Sequence, residues 1–550
     1  MPTSSPTFSG TSVRCLRYWF GVGLAILPAV VLVAVVARKA VNIPTGDDFF
    51  TILPFLNNWL EHTSFAERWH LLIEQFTGHR LVFMRLVTLA DIHLFGACNF
   101  IALQVLGWLG WIVVATALIV TLPVFRVTAW LALPVTLLLM HVEGYTNLTW
   151  AMCMGNLWVI AFAFGAAWCA FSPRRGLLMA SLAFAVLSSM CFVNGLLVFP
   201  AVVIGFMLRR QFRCAAIVAG IGAVVWTIYL YSYYNPMPPI APMEIARKAA
   251  IMAGGWVVLG RMPSVASLYA GAITLLGAGV MLSRRWLWRE RPAHTTFLLF
   301  VVMTIFTAAR GRSGWDDYYM LQDRYRLYGL LVLAVAYAVA VDRCATQRAR
   351  LGAGGSVVAA GYCTLAYATF YAPLCAAQAW CASTALNWPL GECVTMNLPD
   401  AWPACARELA RAERLGVYRL PTLLDTTDLG IIRNLPAIAN GTPDCGLEPN
   451  GACAGFSVMA PADVAVHADA SALPDFGVLV LPDRRVILAL DVFRVRVAEL
   501  LPRCSLFSER YGFLIPRSHY TLPGRYALHA LGRGRDGRFA IQWSGAISFP

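Results

Sequence analysis

Over its first 376 residues the chain alternates long apolar runs with short polar connections, the runs lying at about 19–38, 98–121, 127–142, 155–171, 176–193, 194–208, 214–232, 263–283, 295–309, 327–342 and 352–376. A run of roughly 20 apolar residues crosses the hydrocarbon core of a bilayer as a helix. The pattern therefore predicts a mostly α polytopic membrane protein with about 11 transmembrane helices. Three connections break the rhythm, a long one at 39–97 and two more at 233–262 and 310–326. Inside the first, "SFAERWHLLIEQF" (64–76) opens on Ser64 and Glu67, a capping-box pair. Trp69, Leu72, Ile73 and Phe76 then recur at i, i+3, i+4 and i+7, which predicts an amphipathic helix lying in the membrane interface. Prolines forbid a continuous helix through 236–242, and a short helix is expected after them.

From about residue 377 the pattern changes. "ARELARAERLGVYRLP" reads as a surface helix ending at Gly416, and "FGVLVLP", "RRVILALDVF", "RYALHALGR" and "RFAIQWSG" alternate in the manner of short strands between Pro, Gly and Asp turns. This predicts a transmembrane domain over 1–376 followed by a β-rich domain over 377–550, built as a sandwich.

Composition sharpens the first half of that reading. The 550 residues are 59% hydrophobic and 13% charged, with a mean hydropathy of +0.64, whereas soluble domains run near about 25% charged. The net charge of +14 would suggest nucleic acid in a soluble protein. Here its placement supplies another cause. The short connections "SPRRG", "RRQFR", "SRRWLWRERP" and "DRCATQRAR", with Arg14, Arg17 and Arg126, all fall on one side if there are eleven spans. The positive-inside rule makes that side cytoplasmic. The expectation is a multi-pass protein of a bacterial inner membrane, with a retained first helix, a cytoplasmic N-terminus, a periplasmic C-terminal domain and no nucleic-acid partner. Six cysteines, Cys381, Cys393, Cys405, Cys445, Cys453 and Cys504, then lie where disulfides persist. Cys445 and Cys453 enclose a short loop and are the first choice for a bridge, with the other pairings open.

The long connections hold the candidate chemistry. "VNIPTGDDFF" (41–50) sets Asp47 and Asp48 at the head of the first outer loop, and "TGHR" brings His79 and Arg80 later in it. "ARGRSGWDDYYMLQDRYR" (309–326) carries Arg310, Arg312, Arg324 and Arg326 on the outer side, against the positive-inside trend. An anionic ligand is one reason for them, and pairing with Asp316, Asp317 and Asp323 is the plainer one. The plainer reading of Asp47 and Asp48 is helix capping, and that of His79 and Arg80 is interfacial snorkelling. Arg85, Asp91 and His93 read as structural, and Glu143 in the outer turn "HVEGYTNLTW" could face the same cavity. The membrane cysteines show no metal-ligand spacing; the acid pairs at 47–48 and 316–317 could supply oxygen ligands for a divalent cation, but nothing requires a metal or cofactor.

A long first outer loop headed by an acidic pair, interfacial helices within it, about eleven spans and a periplasmic C-terminal domain resemble the GT-C type of integral-membrane glycosyltransferase, to which protein O-mannosyltransferases and the aminoarabinose transferase acting on lipid A belong. "GHRLVFMRL" (78–86), "GRSGWDDYYMLQDRYRLYGLL" (311–331) and "AERLGVYRLP" (412–421) are similar to stretches of a group of bacterial envelope membrane proteins. The resemblance implies transfer of a sugar from a polyprenyl-phosphate donor to an envelope glycan or lipid on the outer side. It implies Asp48 as the general base, with Asp47 orienting Asp48 or the acceptor and the two roles open to exchange. Arg324 first, then Arg310, Arg312, Arg80 and His79, with Tyr325 beside them, would bind the departing lipid phosphate. Three other functions compete: a transporter or flippase for a lipid-linked glycan, a polysaccharide polymerase or ligase, and a non-catalytic envelope protein of the same architecture. A transporter would show internal repeats and mid-membrane charges, and neither is visible in the sequence.

Overall fold

The computed structural model describes residues 10–173, 176–234, 241–258, 264–312, 314–391, 402–423 and 426–435, and strands within 447–549. Helix α1 (Gly10–Lys39) is a long apolar rod ending on Arg38 and Lys39. The chain turns through Gly46, whose φ of +52° suits glycine and where an added Cβ would lie 3.0 Å from the Trp150 ring. It then enters α2 (Asp48–Glu61) and α3 (Phe65–Ile73). Ser64 and Glu67 form the expected capping box. The helix stops earlier than the apolar spacing predicts, because Thr77 and Gly78, with φ of 43° and 88°, make a tight turn. That turn folds Phe76 into a hairpin of β1 (Gln75–Phe76) and β2 (His79–Arg80). On α3, Phe65 and Trp69 stack with ring centroids 6.4 Å apart and face outward.

Next come α4 (Val82–Phe95) and α5 (Phe100–Val120). The span expected at 127–142 is not one helix. Pro123 and Pro134 each sit in a first helical turn, the place a residue without an N–H is tolerated. They divide the chain into α6 (Pro123–Val127), a 3-10 turn, α7 (Leu133–Leu139), a second 3-10 turn at Val142–Gly144 and α8 (Tyr145–Thr149). The helices α9 (Met154–Ala170), α10 (Leu177–Cys191), α11 (Val198–Leu208) and α12 (Phe212–Leu230) follow. After α13 (Pro242–Ala253) come α14 (Ser264–Ser283), α15 (Arg285–Glu290), α16 (Pro292–Gly311), α17 (Asp317–Met320), α18 (Asp323–Arg343) and α19 (Arg348–Asn387).

Among the described residues, seven helices are long and apolar enough to cross a membrane: α1, α5, α12, α14, α16, α18 and the first part of α19. Three shorter apolar helices lie at Met154–Ala170, Leu177–Cys191 and Val193–Leu208. The protein is thus a mostly helical, polytopic membrane protein. The apolar stretches of α16 and α18 are 61% and 67% buried, whereas those of α12 and α14 are each 22% buried. The first pair forms the centre and the second leaves its apolar side chains for lipid. Short α13 packs so closely on α14 that an added Cβ at Gly271 would lie 1.6 Å from Ala250 O.

α19 runs on past residue 376, where the change of pattern was expected, and ends at Asn387. Helix α20 (Trp402–Leu415) stops at Gly416 (φ +71°), where the sequence places its end. It is not a free surface helix. Asn57 of α2 donates to Glu408 O and Oε2 at 3.0 and 2.8 Å, and Arg411 donates to Asn58 Oδ1 at 2.8 Å and pairs with Glu61. Beyond it the Tyr418 hydroxyl donates to Asn42 O at 2.7 Å and its ring packs edge-on against Phe100. The chain thereby returns to the long connection at 39–97. After α21 (Thr426–Arg433), the described strands β3 (Leu447–Pro449), β4 (Val464–Ala468), β5 (Phe476–Val480), β6 (Val486–Ala489), β7 (Tyr511–Ile515), β8 (Gly524–Arg533) and β9 (Phe539–Phe549) pair antiparallel in sheets ordered β3-β4-β7 and β6-β5-β8-β9. Leu386 and Ile432 pack with Val478, Val480, Ala527 and Leu531 of the second sheet. Cys381 and Cys405 are buried, and Cys393, Cys445, Cys453 and Cys504 lie outside the described residues.

Candidate functional site

The two adjacent aspartates at the start of α2 face different surroundings. Successive helical residues point about 100° apart, so the pair cannot share one direction. Asp48 is fully buried and accepts from Thr45 N at 3.0 Å and Met152 N at 2.8 Å. These bonds tie the Gly46 turn to the segment ahead of α9. Burial pushes its carboxyl up to about 7, against the backbone hydrogen bonds of Met152, Thr45 and Ala151 that pull it down. Asp47 occupies the N-cap position, yet its side chain makes no capping hydrogen bond. It is half-buried. Burial raises its carboxyl above the ordinary range, while the charges of Arg324 and Arg312 pull it down. Capping thus accounts for neither carboxylate.

The same two guanidinium groups act on His79. Its imidazole stands edge-on to Phe192, with centroids 4.7 Å apart, and its Nδ1 accepts from Val193 N at 3.4 Å. Burial pushes its pKa down to about 3, and the positive charges of Arg312 and Arg324 act in the same direction. His79 is therefore neutral. With Nδ1 accepting, Nε2 carries the proton and is the donor the ring can offer.

Tyr325 joins the two arginines. Its hydroxyl accepts from Arg312 Nε at 3.0 Å, and Arg324 Cζ lies 5.3 Å from its ring centroid. The Arg324 guanidinium donates no hydrogen bond to the described residues, and its Nε is buried without a partner. The backbone here is braced by side chains that the sequence reading passed over. Asn147 Nδ2 donates to Arg324 O at 3.2 Å, and Asn156 supports Asn147 at 3.1 Å. Thr146 donates to both oxygens of Asp323 at 2.8 Å, one through its backbone and one through its hydroxyl. Their signal in the sequence was a run of polar residues, Thr146, Asn147 and Asn156, in an otherwise apolar stretch.

Of the residues singled out in the sequence, Asp47, His79 and Tyr325 are each brought within electrostatic reach of Arg312 and Arg324. Arg80 is placed otherwise. Its guanidinium donates to Tyr229 O at 2.8 Å, Ile73 O at 2.6 Å and Tyr231 O, clamping the hairpin onto the end of α12. Arg310 lies exposed in the last turn of α16. Arg85 donates to Leu72 O and Glu74 O, and Asp91 accepts from Asn99 N at 2.6 Å, which are structural roles. Glu143 is fully buried, accepts from the Tyr362 hydroxyl and lies 3.7 Å from Arg326.

In the segment 309–326 the aspartates make their closest contacts elsewhere, although Asp323 lies in the field of Arg324 and Arg326. Asp316 caps α17 by accepting from Tyr319 N at 3.1 Å, Asp317 pairs with Arg247 at 2.6 Å, and Asp323 accepts from Thr146. Neither Arg312 nor Arg324 has a carboxylate within ion-pair distance among the described residues. Neither acid pair converges on a common point, and no group of three His, Cys, Asp or Glu side chains suited to a metal ion occurs among the described residues. The cluster presents two guanidinium groups, a neutral imidazole and a phenol around one half-buried carboxylate. Such a set can hold an anion and take up a proton beside it. The chain matches no protein-family model, no curated protein and no solved structure.

Proposed function

We propose that this protein is a GT-C-type membrane glycosyltransferase that moves a sugar from a polyprenyl-phosphate donor to an envelope glycan or lipid on the outer side of a bacterial inner membrane. The observation that carries the proposal is the position of Asp47, at the head of the long connection 39–97 and in the field of Arg312 and Arg324, neither of which forms an ion pair with a described carboxylate. The acceptor hydroxyl must lose a proton as it attacks the anomeric carbon, and Asp47 is the carboxylate placed to accept it. Negative charge grows on the departing phosphate oxygen, and Arg324 and Arg312 are the donors for it, with His79 Nε2 and the Tyr325 hydroxyl as neutral partners. This exchanges the roles expected from the sequence. Asp48, buried and held by backbone N–H groups, fastens the turn that presents Asp47.

Parity supports the expected topology. Because α20 and Tyr418 pack on the first outer loop, the chain crosses the bilayer an even number of times between them. The six long helices after α1 satisfy this. The expected count of eleven satisfies it as well, since it places ten crossings after α1. The β-strands would then form a domain on the outer side that positions the acceptor.

The test is mass spectrometry of envelope glycans and lipid-linked sugars in a deletion strain complemented with wild type, Asp47→Asn or Asp48→Asn at matched protein levels. Loss of one defined sugar that Asp47→Asn fails to restore carries the proposal. An unchanged profile in the deletion overturns it.

A further inference from the structure

The segment 309–326 holds three aspartates for its four arginines, and among the described residues Arg312 and Arg324 form no ion pair with any of them. Each aspartate is held elsewhere by a specific partner. Asp317 is taken by Arg247 of α13, whose Nη1 and Nη2 reach its two oxygens at 2.7 and 2.6 Å. Glu244 holds the other side of that guanidinium, accepting from Nε and Nη2 at 2.8 Å each. Lys248, one residue on, donates to Trp315 O and lies 3.7 Å from Glu244. Helix α13 is itself rigid, seated on α14 at Gly271 with no room for a side chain between them. Trp315 N donates to Arg312 O at 3.0 Å, which holds the backbone just ahead of Asp316 and Asp317 to that of Arg312. Without Arg247, the cations left for Asp317 are Lys248, already engaged by Glu244 and Trp315 O, and Arg312, five residues before it in the chain.

We propose that Arg247 is a positioning residue that sequesters Asp317 on α13 and so keeps Arg312 free for an anionic ligand, a phosphate monoester or diester on a lipid. The proposal rests on the reading of Arg312 and Arg324 as phosphate-binding groups. The pair is half-exposed, with 38% and 30% of the two side chains accessible. Exposed ion pairs contribute little to stability, so its removal leaves the fold intact while changing the field at the site.

The experiment measures binding of farnesyl phosphate to the full chain in nanodiscs, with farnesol and inorganic phosphate as separate arms, and thermal unfolding of each variant. Arg247→Ala weakens farnesyl phosphate binding roughly fivefold to tenfold, the change expected when a carboxylate competes for one guanidinium. Asp317→Asn alone leaves the affinity at the wild-type value. The double variant Arg247→Ala/Asp317→Asn restores it, because no carboxylate is left to compete. A merely structural clamp behaves differently: Asp317→Asn weakens binding as much as Arg247→Ala, and the double variant restores nothing. That pattern, or wild-type affinity in Arg247→Ala, overturns the inference. Absence of farnesyl phosphate binding by the wild type, or equal binding of farnesol, overturns the phosphate reading beneath it, and binding of inorganic phosphate alone assigns the site to a free anion.

Discussion

Asp47 and Asp48 separate two tasks within one dipeptide. Asp47→Asn is expected to lower sugar transfer at least about a hundredfold, the usual worth of a positioned general base, while the melting temperature stays near that of the wild type. Asp48→Asn acts on stability. The folded protein holds the Asp48 carboxyl at about 7, above its ordinary 3.8. The protonated form therefore contributes stability that is full below the ordinary value and lost as pH rises through about 7. A shift of this size is worth on the order of 4 kcal/mol over the whole range. Melting temperature should fall between pH 5 and pH 8 in the wild type and fall less in Asp48→Asn. The amide also loses an acceptor for one of the two backbone N–H groups, a cost of about 1 kcal/mol at pH 5. An equal pH slope in both proteins would show that another group governs the titration.

At the level of elements, the site is assembled by short connectors. The β1–β2 hairpin carries His79 into the cluster, and Arg80 holds it there through three carbonyls. Replacing Arg80 with alanine should free the hairpin from α12 at a local cost of roughly 2–3 kcal/mol. Faster hydrogen exchange over 75–80, with the helices unchanged, is the readout. Helix α13 depends on the absence of a side chain at Gly271. Gly271→Val forces it off α14 and is expected to cost about 3 kcal/mol or more, measured as lost thermal stability and folded yield.

For the whole molecule, the packing of α20 on α2 places residues 402–420 on the same side of the membrane as the long connection 39–97. Single cysteines introduced at exposed positions of α3 and α20 should react alike with an impermeant thiol reagent in intact cells. Cysteines in the basic connections "RRQFR" and "SRRWLWRERP" should react only after lysis. Labelling of α3 and α20 from opposite sides would contradict the packing.

The sequence alone determined those features whose causes are local. Apolar length marked the long helices, the Ser64–Glu67 pair marked the start of α3, and Gly416 marked the end of α20. It also marked where the charged groups of the long connections occur, because an acid or an arginine beside an apolar run is visible without a fold. Locality failed where proline divided the chain at 127–142 and where the Thr77–Gly78 turn ended α3 early. Only the tertiary structure decided which of two adjacent aspartates meets the arginines, since that depends on how α2 is rotated. It alone decided which arginines are engaged, because Arg80, Arg247 and Arg326 find their partners on elements up to about 180 residues away in the chain. Charge on an arginine is a property of the residue, but its availability to a ligand depends on every carboxylate and carbonyl that folding brings within reach.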